Sequence, residues 1–475
     1  MTKQVNEREL ILAVLLEVTE NGQFSHIVLR DVLAKYQYLE KRERAFITRV
    51  VDGTLEHLIE IDYILDCFSK VKVKKMKPVI RGILRSAVYQ MKYMDSVPDR
   101  AVCSEAVRLA GRKGFSGLKG YVNGVLRSIA RGLDHIPYPE EEKKALSIRY
   151  SCPEWMLDLW GGTYDRETVE TMLRDFQTEK PLSIRCCLDR TEPEQLRREL
   201  EKEGVSVEAH PYLPYAFCIS GYDHLEEISA FREGRFAVQD VSSMLVGEIA
   251  APKAGDRILD VCAAPGGKAL HAAEKLCVAE RRYAAEKGCP GEQPGAEEKG
   301  CGYVEARDLT EAKVELIRDN IRRSGFANIR AVCQDATVYD DRWKASADIV
   351  IADLPCSGLG VIGKKPDLKY RISPQGIESL TALQRQILSC AQAYVKPGGT
   401  LIYSTCTVSP EENQGNVRWF LKEYPEFAPG DLTGSLCGEL RESVTEKCCL
   451  QLLPGIHKCD GFFIAKLIRK EEHTV

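Results

Sequence analysis

The stretch Arg257-Ile-Leu-Asp-Val-Cys-Ala-Ala-Pro-Gly-Gly-Lys268 decides the fold of this chain. Residues 258–261 form a short apolar run, which predicts a buried strand. Residues 263–267 are small and turn-forming, and a helix is predicted from 268 to 275. Such a corner favours an anion, because the first helical N–H groups have no internal partner. An ordinary tight βα turn has the same features, so the assignment depends on the residues downstream.

Length and composition exclude several classes of protein. At 475 residues the chain is long enough for two or three domains. Residues 1–10 are polar and charged, so we expect no signal peptide, and no apolar run is long enough to cross a bilayer. The 18 cysteines lack C-x-x-C spacing, which disfavours a zinc ribbon. We therefore expect a cytoplasmic protein with reduced thiols and no metal site.

The charge is unevenly distributed along the chain. The net charge is −4, but residues 1–135 contain 23 Lys and Arg against 16 Asp and Glu, a net +7 that leaves −11 for the remainder. A basic head favours contact with a polyanion, although a solvated helical surface would show the same excess. We expect the following residues to form the basic surface: Arg42, Arg44, Arg81, Arg85, Arg108, Arg112 and Lys113.

Residues 1–135 are predicted to be an all-α helical bundle. Apolar residues recur at helical spacing, as at Leu10, Val14 and Val18, and about six helices are expected. The segments 41–55 and 121–127 resemble the NusB-like RNA-binding domain. This resemblance implies that the head contacts RNA.

Residues 147–235 are predicted to be a small α+β domain that follows a proline-containing linker. Two helices are expected first, around Trp155 and at 169–176, and a third at 192–203. Strands are expected at 182–186, 205–209 and 216–220. The spacing of its residues assigns no chemistry to this domain.

Residues 236–475 alternate strand and helix, which predicts an α/β, Rossmann-like domain with a parallel sheet. In such sheets ligands bind beyond the carboxyl ends of the strands. The residues that follow each strand are therefore the candidates for a site. The predicted strands are 258–261, 303–306, 329–333, 349–352 and 400–404.

Two acids follow the second and third of these strands. Asp308 is placed to accept both hydroxyls of a ribose, and Asp335 to accept from the amino group of an adenine. Either acid alone is more often a helix cap or a solvated surface residue. The glycine turn lacks the G-x-G-x-x-G pattern, which argues against NAD or FAD. Because the glycine turn and the two acids follow three successive strands, together they favour an adenosine ligand.

Two cysteines follow the fourth and fifth strands. Most cysteines are inert core residues, but Cys356 and Cys406 stand in turns at the edge where the ligand is expected. A thiolate in that position is a nucleophile, and nearby positive charge favours it.

The motifs together resemble the RNA (cytosine-5) methyltransferases, and within them the bacterial 16S rRNA methyltransferases of the RsmB family. The resemblance rests on Asp260-Val-Cys-Ala-Ala-Pro-Gly-Gly-Lys268, Asp353-Leu-Pro-Cys356, Tyr403-Ser-Thr-Cys406 and Pro410-Glu-Glu-Asn413. The NusB-like head and the Arg149-Tyr-Ser-Cys-Pro-Glu-Trp155 segment extend it over nearly the whole chain.

The resemblance implies a methyl donor, S-adenosylmethionine, and a covalent mechanism. Carbon 5 of cytosine is a poor nucleophile until a thiolate adds to carbon 6. The resemblance makes Cys406 that nucleophile, has Cys356 assist release of the adduct and Asp353 bond the cytosine ring, and places Lys268 close to the base. The base must leave its stack to reach this pocket. The residues implied to line the cofactor and substrate cleft are Cys262, Ala263, Ala264, Pro265, Gly266, Gly267, Lys268, Asp308, Asp335 and Asp353.

The sequence departs from the family pattern at three places. Leu354 replaces a small alanine, and we expect its side chain to point away from the base. Cys187 occupies an asparagine position, which puts in doubt a hydrogen bond that packs the middle domain against the core. Residues from about 278 to 302 look like a disordered or mobile insertion. We also expect residues 461–466 to form a final antiparallel strand.

Two other functions fit part of this pattern. One is a non-catalytic NusB-like RNA-binding or antitermination factor, and the other is a methyltransferase that acts on an exocyclic amine. The intact cysteine motifs favour instead a cytosine-5 methyltransferase. We expect it to act as a monomer on 16S rRNA, before or during assembly of the small ribosomal subunit.

Overall fold

The computed structural model describes residues 6–287 and 302–471, which fall into two compact units. The helical unit comprises residues 1–178 and 362–372, and the sheet unit comprises 179–361 and 373–475. Across the described ranges, every helix is too short or too polar to cross a membrane.

The helical unit is built from amphipathic helices around one apolar core. Leu10, Val14 and Val18 are buried on one side of the first helix, as predicted. Seven α-helices are described before residue 135, one more than the six expected, because the helix is interrupted at His57, between the third and the fourth helix. The helices of this unit are α1 (Glu7–Thr19), α2 (Ser25–Lys35), α3 (Lys41–Glu56), α4 (Leu58–Phe68), α5 (Pro78–Tyr93), α6 (Asp99–Arg112), α7 (Lys119–Gly132), α8 (Glu142–Arg149), α9 (Glu154–Gly161) and α10 (Arg166–Phe176).

By their contacts, the helices around residues 147–178 are grouped with this unit. The reason is that α8 packs on α4, and α9 and α10 continue that layer, with the rings of Trp160 and Phe176 6.0 Å apart. The segment 362–372 also joins this unit. Asp367 accepts a hydrogen bond from Ser25 Oγ at 2.6 Å, and Lys369 Nζ donates to the Glu56 carbonyl at 2.6 Å.

A small antiparallel sheet opens the sheet unit, with strand order β2-β3-β1-β4. Three of its strands were predicted. The fourth strand has only three residues, too few to show an alternation of apolar and polar side chains in the sequence. The predicted domain boundary at 236 therefore coincides with the start of this strand. Its elements are β1 (Leu182–Cys186), α11 (Pro193–Lys202), β2 (Ser206–Ala209), β3 (Ala216–Ser220), α12 (Ser229–Arg232) and β4 (Phe236–Val238).

The large sheet has nine strands within the described residues, with β10 beside β13 and the others in the order β11-β12-β13-β9-β8-β5-β6-β7. The five predicted parallel strands and the antiparallel final strand are all present. The elements are α13 (Val241–Ala250), β5 (Arg257–Asp260), α14 (Gly267–Glu286), β6 (Tyr303–Asp308), α15 (Glu311–Ser324), β7 (Ile329–Cys333), β8 (Ala347–Asp353), α16 (Pro374–Ala391), β9 (Val395–Thr405), α17 (Gln414–Glu423), β10 (Phe427–Pro429), α18 (Gly438–Arg441), β11 (Val444–Thr445), β12 (Cys449–Leu452) and β13 (Phe462–Arg469).

The predicted insertion at 278–302 begins too early. Residues 278–286 continue α14, since Ala284 and Ala285, like the residues before them, favour helix. Most of the remaining stretch lies outside the described residues.

The strand order changes direction between β5 and β8, and this switch point fixes where a ligand binds. From β5 the chain proceeds through β6 to β7 on one side, and through β8 to β9 on the other. The four pairings are parallel, so the carboxyl ends of all five strands meet at one edge. In this register Asp353 pairs with Ser404.

A buried polar network braces the two turns that contain Cys356 and Cys406. Glu412 accepts hydrogen bonds from the Ser357 N–H at 2.9 Å and the Ser357 hydroxyl at 2.5 Å. It also accepts from Gln384 Nε2 at 3.0 Å, and its side chain is fully buried. Asn413 accepts from Thr405 Oγ1 at 2.6 Å and donates to the Thr407 carbonyl at 3.0 Å. The two neighbouring residues therefore hold one cysteine turn each.

The brace leads to a stability prediction. Glu412→Ala should lower the free energy of unfolding by about 3 kcal/mol, because it leaves buried donors of Ser357 and Gln384 without an acceptor. Urea unfolding measures this loss. Glu411→Ala is the matched control, since Glu411 is exposed, and should cost less than about 0.5 kcal/mol. Equal losses in the two variants would contradict the assignment of the brace.

Candidate active site

A hydrogen-bonded array of Lys268, Asp353 and Ser404 lies at the switch point of the sheet. Lys268 Nζ donates to Asp353 Oδ2 at 2.7 Å, and Ser404 Oγ donates to Asp353 Oδ1 at 2.7 Å. Lys268 comes from the first turn of α14, and the other two residues come from the ends of β8 and β9. The side chain of Asp353 is 27% exposed, so its carboxylate is fixed by the array and still accessible to a ligand.

The charge of Lys268 is retained at this site. Burial lowers the pKa of Lys268, but Asp353, with smaller effects of Asp260 and Cys406, raises it above its usual value overall. Nζ also lies 5.2 Å from the centre of the Phe462 ring, within range of a cation–π contact. The site thus presents one fixed cation beside a carboxylate.

The two predicted cysteines meet at the same edge. Cys356 Sγ and Cys406 Sγ are 3.4 Å apart, and both residues are partly exposed. The hydrogen bond with Cys406, together with burial, holds the pKa of the Cys356 thiol well above its usual range. The raised pKa favours the protonated thiol at Cys356.

The glycine turn forms a tight corner between β5 and α14. Gly266 has φ +109°, a conformation that side chains other than glycine rarely adopt, and its N–H donates to the Ala263 carbonyl at 2.7 Å. A Cβ on Gly267 would meet only the Gln239 amide, at 3.9 Å. The backbone at the start of α14 is therefore open to close approach by a ligand. Of the other predicted corner residues, Ala263 is buried, Cys262 and Ala264 are partly buried and Pro265 is exposed.

The two predicted acids follow neighbouring strands and differ in their surroundings. Asp308 is buried, and its oxygens accept from the Ala264 N–H at 3.0 Å and the Leu309 N–H at 2.8 Å. Asp335 is partly exposed and accepts from the N–H and hydroxyl of Thr337 through one oxygen. Each oxygen of a carboxylate has two lone pairs, so both side chains retain capacity to accept from a ligand.

Asp260, at the end of β5, is a site residue to which the sequence analysis assigned no role. It is fully buried, and only its Oδ1 has a hydrogen-bond partner among the described residues, the Cys262 N–H at 3.3 Å. Burial and the nearby Asp353 carboxylate raise the pKa of Asp260 to about 8. Ser404 and Glu412 were likewise not predicted as site residues, although both lie within motifs on which the family resemblance rests.

The two departures from the family motifs are both accommodated in the core. Leu354 is 3% exposed and packs in the apolar cluster under the sheet, away from the site, as predicted. Cys187 is buried, and its N–H donates to the Arg235 carbonyl at 2.9 Å. The small sheet is held to α14 by the buried ion pair of Arg185 with Glu274, which also accepts from the Leu188 N–H at 2.7 Å.

The basic surface predicted for the helical unit is largely neutralised by ion pairs. Arg81 pairs with Glu20 at 2.7 Å, and Arg85 pairs with Asp62 at 2.7 Å. Arg108 pairs with Glu105, while Arg112 and Lys113 lie 3.4 and 3.6 Å from Glu9. A sequence count of charges does not show which cations have a carboxylate beside them, so the free positive surface is smaller than predicted.

The raised pKa of Asp260 leads to a pH prediction. An unfolded Asp ionises near pH ~4, so between about pH 4 and pH 8 the folded protein holds a proton that the unfolded chain has released. Stability therefore falls as pH rises through this window. Asp260→Asn removes this titration, so the variant should gain stability relative to the native protein by up to about 1.4 kcal/mol per pH unit.

Urea unfolding of the ligand-free protein at pH 5, 6 and 7.5 measures this difference. Asp319→Asn, on the exposed surface of α15, is the control and should show no such trend in the window. Parallel stability profiles for Asp260→Asn and the native protein would show that Asp260 does not titrate as inferred.

Comparison with known proteins assigns the parts of the chain to families. A family model described as 16S rRNA methyltransferase RsmB/F matches residues 297–468. The NusB family model matches residues 5–131, and a model of the ferredoxin-like domain of RsmF/B-type methyltransferases matches residues 152–223.

Full-length relatives match this chain over nearly its whole length. The chain is 34% identical to the probable ribosomal RNA small subunit methyltransferase B of Bacillus subtilis, covering 98% of this chain and 100% of the relative. It is 29% identical to the ribosomal RNA small subunit methyltransferase B of Cronobacter sakazakii, over 99% and 100% of the two chains. The crystal structure of PH0851 superposes with a TM-score of 0.78 at 26% identity, covering 98% of this chain and 100% of that chain. The chain therefore belongs to the RsmB/F family of rRNA methyltransferases, with a helical NusB-like domain, a ferredoxin-like domain and a methyltransferase domain.

Proposed function

We propose that this enzyme methylates carbon 5 of a cytosine in 16S rRNA, with S-adenosylmethionine as methyl donor and a covalent cysteine–cytosine adduct as intermediate. The observation that supports it best is the 3.4 Å approach of Cys356 Sγ and Cys406 Sγ beside the Lys268–Asp353–Ser404 array. Methylation of an exocyclic amine needs no thiol, so a pair of thiols at this edge favours carbon 5 chemistry.

Cys406 is the nucleophile in this mechanism. Its thiolate adds to carbon 6 of the cytosine, which makes carbon 5 an enamine carbon able to accept a methyl group. Lys268 favours the thiolate because the two groups interact electrostatically. Cys356, whose thiol keeps its proton, is held beside the sulfur that must leave at the end of the reaction.

Asp353 holds the base during addition. Lys268 and Ser404 fix both oxygens of its carboxylate, so the group is oriented before substrate binds. An oriented carboxylate accepts from the exocyclic amine of a cytosine, and the Lys268 ammonium beside it offsets the negative charge that thiolate addition places on the ring. After methyl transfer a base removes the carbon 5 proton, and the Cys406 sulfur is eliminated to restore the ring.

The residues at the glycine corner fit S-adenosylmethionine. Gly266 and Gly267 allow close approach to the backbone, and Asp308 and Asp335 offer acceptors for a ribose and an adenine. Asp260 Oδ2 is buried without a hydrogen-bond partner among the described residues, at the strand end that faces this corner. When bound, the cofactor supplies an electrophilic methyl group on a sulfonium.

The RNA partner follows from the family, and the finer choice of substrate is part of this proposal. We assign small-subunit rRNA as the substrate, before or during subunit assembly, and a monomeric enzyme. The relatives from Bacillus subtilis and Cronobacter sakazakii are named as small-subunit rRNA methyltransferases, which supports this choice.

The cysteine roles give opposite predictions for two variants. Cys406→Ala should reduce methyl transfer to 16S rRNA to background, because no adduct forms. Cys356→Ala should instead accumulate an RNA adduct that survives denaturing gel electrophoresis, because release is impaired. Cys67→Ala, an exposed thiol in the helical unit, is the control and should retain native activity.

Mass spectrometry of nucleosides from the treated RNA identifies the product. The proposal predicts 5-methylcytosine; an N4-methylated product would instead support amine methylation. Full activity of Cys406→Ala, or release of product by Cys356→Ala without a trapped adduct, would overturn the corresponding role.

Cofactor binding gives an independent prediction. Titration calorimetry should detect one S-adenosylmethionine site, and Asp308→Ala should weaken it about 10- to 100-fold, because a charged hydrogen-bond acceptor is lost. Asp319→Ala, on the exposed surface of α15, should bind like the native protein. Native protein that binds no S-adenosylmethionine would favour the non-catalytic alternative over the proposed enzyme.

A further inference from the structure

The two cysteines at the active edge are close enough to react with each other as well as with a substrate. Their sulfurs are 3.4 Å apart, and closing a bond of about 2.05 Å needs a shift of little more than ~1 Å, which side-chain rotation supplies. Both residues are partly exposed, so a small oxidant can reach them.

The backbone at this edge is also compatible with a cross-link. Cys356 and Cys406 follow neighbouring parallel strands, which lie about 4.8 Å apart, and disulfides span Cα separations of about 4.4–6.8 Å. The Leu354 N–H donates to the Ser404 carbonyl at 3.0 Å, and the Gly360 N–H donates to the Cys406 carbonyl at 3.1 Å. These bonds hold the two turns side by side on both sides of the thiol pair.

A second thiol pair provides an internal comparison. Cys448 Sγ and Cys449 Sγ are 3.6 Å apart, almost the same separation, but the two residues are only 1% and 0% exposed. They are also adjacent in the chain, so a cross-link between them would close a small, strained ring. The distance between the sulfurs is therefore similar in the two pairs, while their solvent exposure and their separation along the chain differ.

We propose that Cys356 and Cys406 form a reversible disulfide under a hydroperoxide, which makes the active site an oxidation-sensitive switch. The Cys406 thiolate attacks one oxygen of hydrogen peroxide, the O–O bond breaks, and the hydroxide that leaves takes a proton from solvent, which gives a sulfenic acid and one water. The Cys356 sulfur then attacks the Cys406 sulfur, the S–O bond breaks, and a second water leaves with the Cys356 proton. Two thiols are oxidised and one hydroperoxide is reduced.

Charge at the site favours Cys406 as the first sulfur to react. Lys268 is a fixed cation that interacts with Cys406, and oxidation by peroxide proceeds through the thiolate. Cys356 is then the resolving thiol, already within contact distance. Such an arrangement of a thiolate and a neighbouring thiol protects the first sulfur from irreversible oxidation, because the disulfide forms before a sulfinic acid.

The consequence for activity rests on the proposed function. If Cys406 is the nucleophile and Cys356 assists release, the disulfide occupies both groups, so methyl transfer stops until a thiol reductant restores them. Formation of the disulfide itself does not depend on which atom of the RNA is methylated.

The test uses the full-length protein treated with hydrogen peroxide, then alkylated with N-ethylmaleimide and digested for mass spectrometry. A peptide containing Cys356 should be cross-linked to one containing Cys406, and dithiothreitol should restore two alkylatable thiols. Cys448 and Cys449 should remain alkylatable after unfolding. Cys448→Ala should leave the cross-link unchanged, and Cys356→Ser should abolish it and leave Cys406 oxidised beyond the disulfide level.

Separate outcomes decide the two claims. The disulfide is refuted if Cys356 and Cys406 remain free, if both become sulfinic acids, or if the buried pair links first. Methyl transfer assayed before and after dithiothreitol tests the switch, and should fall and recover in step with the cross-link. A cross-link that forms in a protein whose Cys406→Ala variant is still active would sustain the disulfide and refute the proposed nucleophile.

Discussion

The parallel pairing of β8 with β9 is the constraint on which the active site depends. It sets Asp353 beside Ser404, and the adjacent pairing of β5 with β8 allows Lys268, just inside α14, to reach the same carboxylate. Successive side chains on a strand point to opposite faces, so a slip of one residue would turn Asp353 away from Lys268 and bring Ala352 to the edge instead. β8 is buried on both faces, with Ile349 and Ile351 in one apolar cluster and Val350 and Ala352 in another. The slip would be costly because it exchanges side chains of different volume between two packed layers. The chemistry at the edge is therefore specified by the hydrophobic pattern several residues upstream.

The strand register fixes the positions of the strand ends. Cys356 and Cys406, however, lie in the turns that follow these strands, and those turns need stabilising contacts of their own. Glu412 and Asn413 supply them from beneath through bonds to Ser357, Thr405 and the Thr407 carbonyl. An apolar core would accept several arrangements of these turns with similar energy. A buried hydrogen-bond network accepts one, because each donor or acceptor left without a partner costs about 1–3 kcal/mol. The fixed 3.4 Å separation of the sulfurs is thus a property of the network as much as of the sheet.

Much of this arrangement could be predicted from the sequence. The five strands of the parallel sheet, the glycine corner and the meeting of Cys356 with Cys406 follow from alternation, turn residues and the rule that ligands bind at strand ends. Features that are short, or that depend on residues distant in sequence, could not be predicted. Strand β4 has three residues, too few to show a period, and Arg81 is neutralised by a residue 61 positions away. Asp260 shows the same limit, since its raised pKa comes from burial and from Asp353, neither of which its neighbours in sequence reveal.

The 18 cysteines of the chain show why residue type alone does not identify a reactive group. Cys186 and Cys449 lie in strands with their sulfurs in the core. Burial raises the pKa of the Cys186 thiol, and the hydrogen bond with Cys448, together with burial, raises the pKa of the Cys449 thiol. Cys406 differs from them in three respects that act together: it ends a strand, it is partly exposed, and it interacts with a fixed cation. Because the cation is itself held by Asp353, the proposed nucleophile and the carboxylate proposed to bind the base are linked through Lys268.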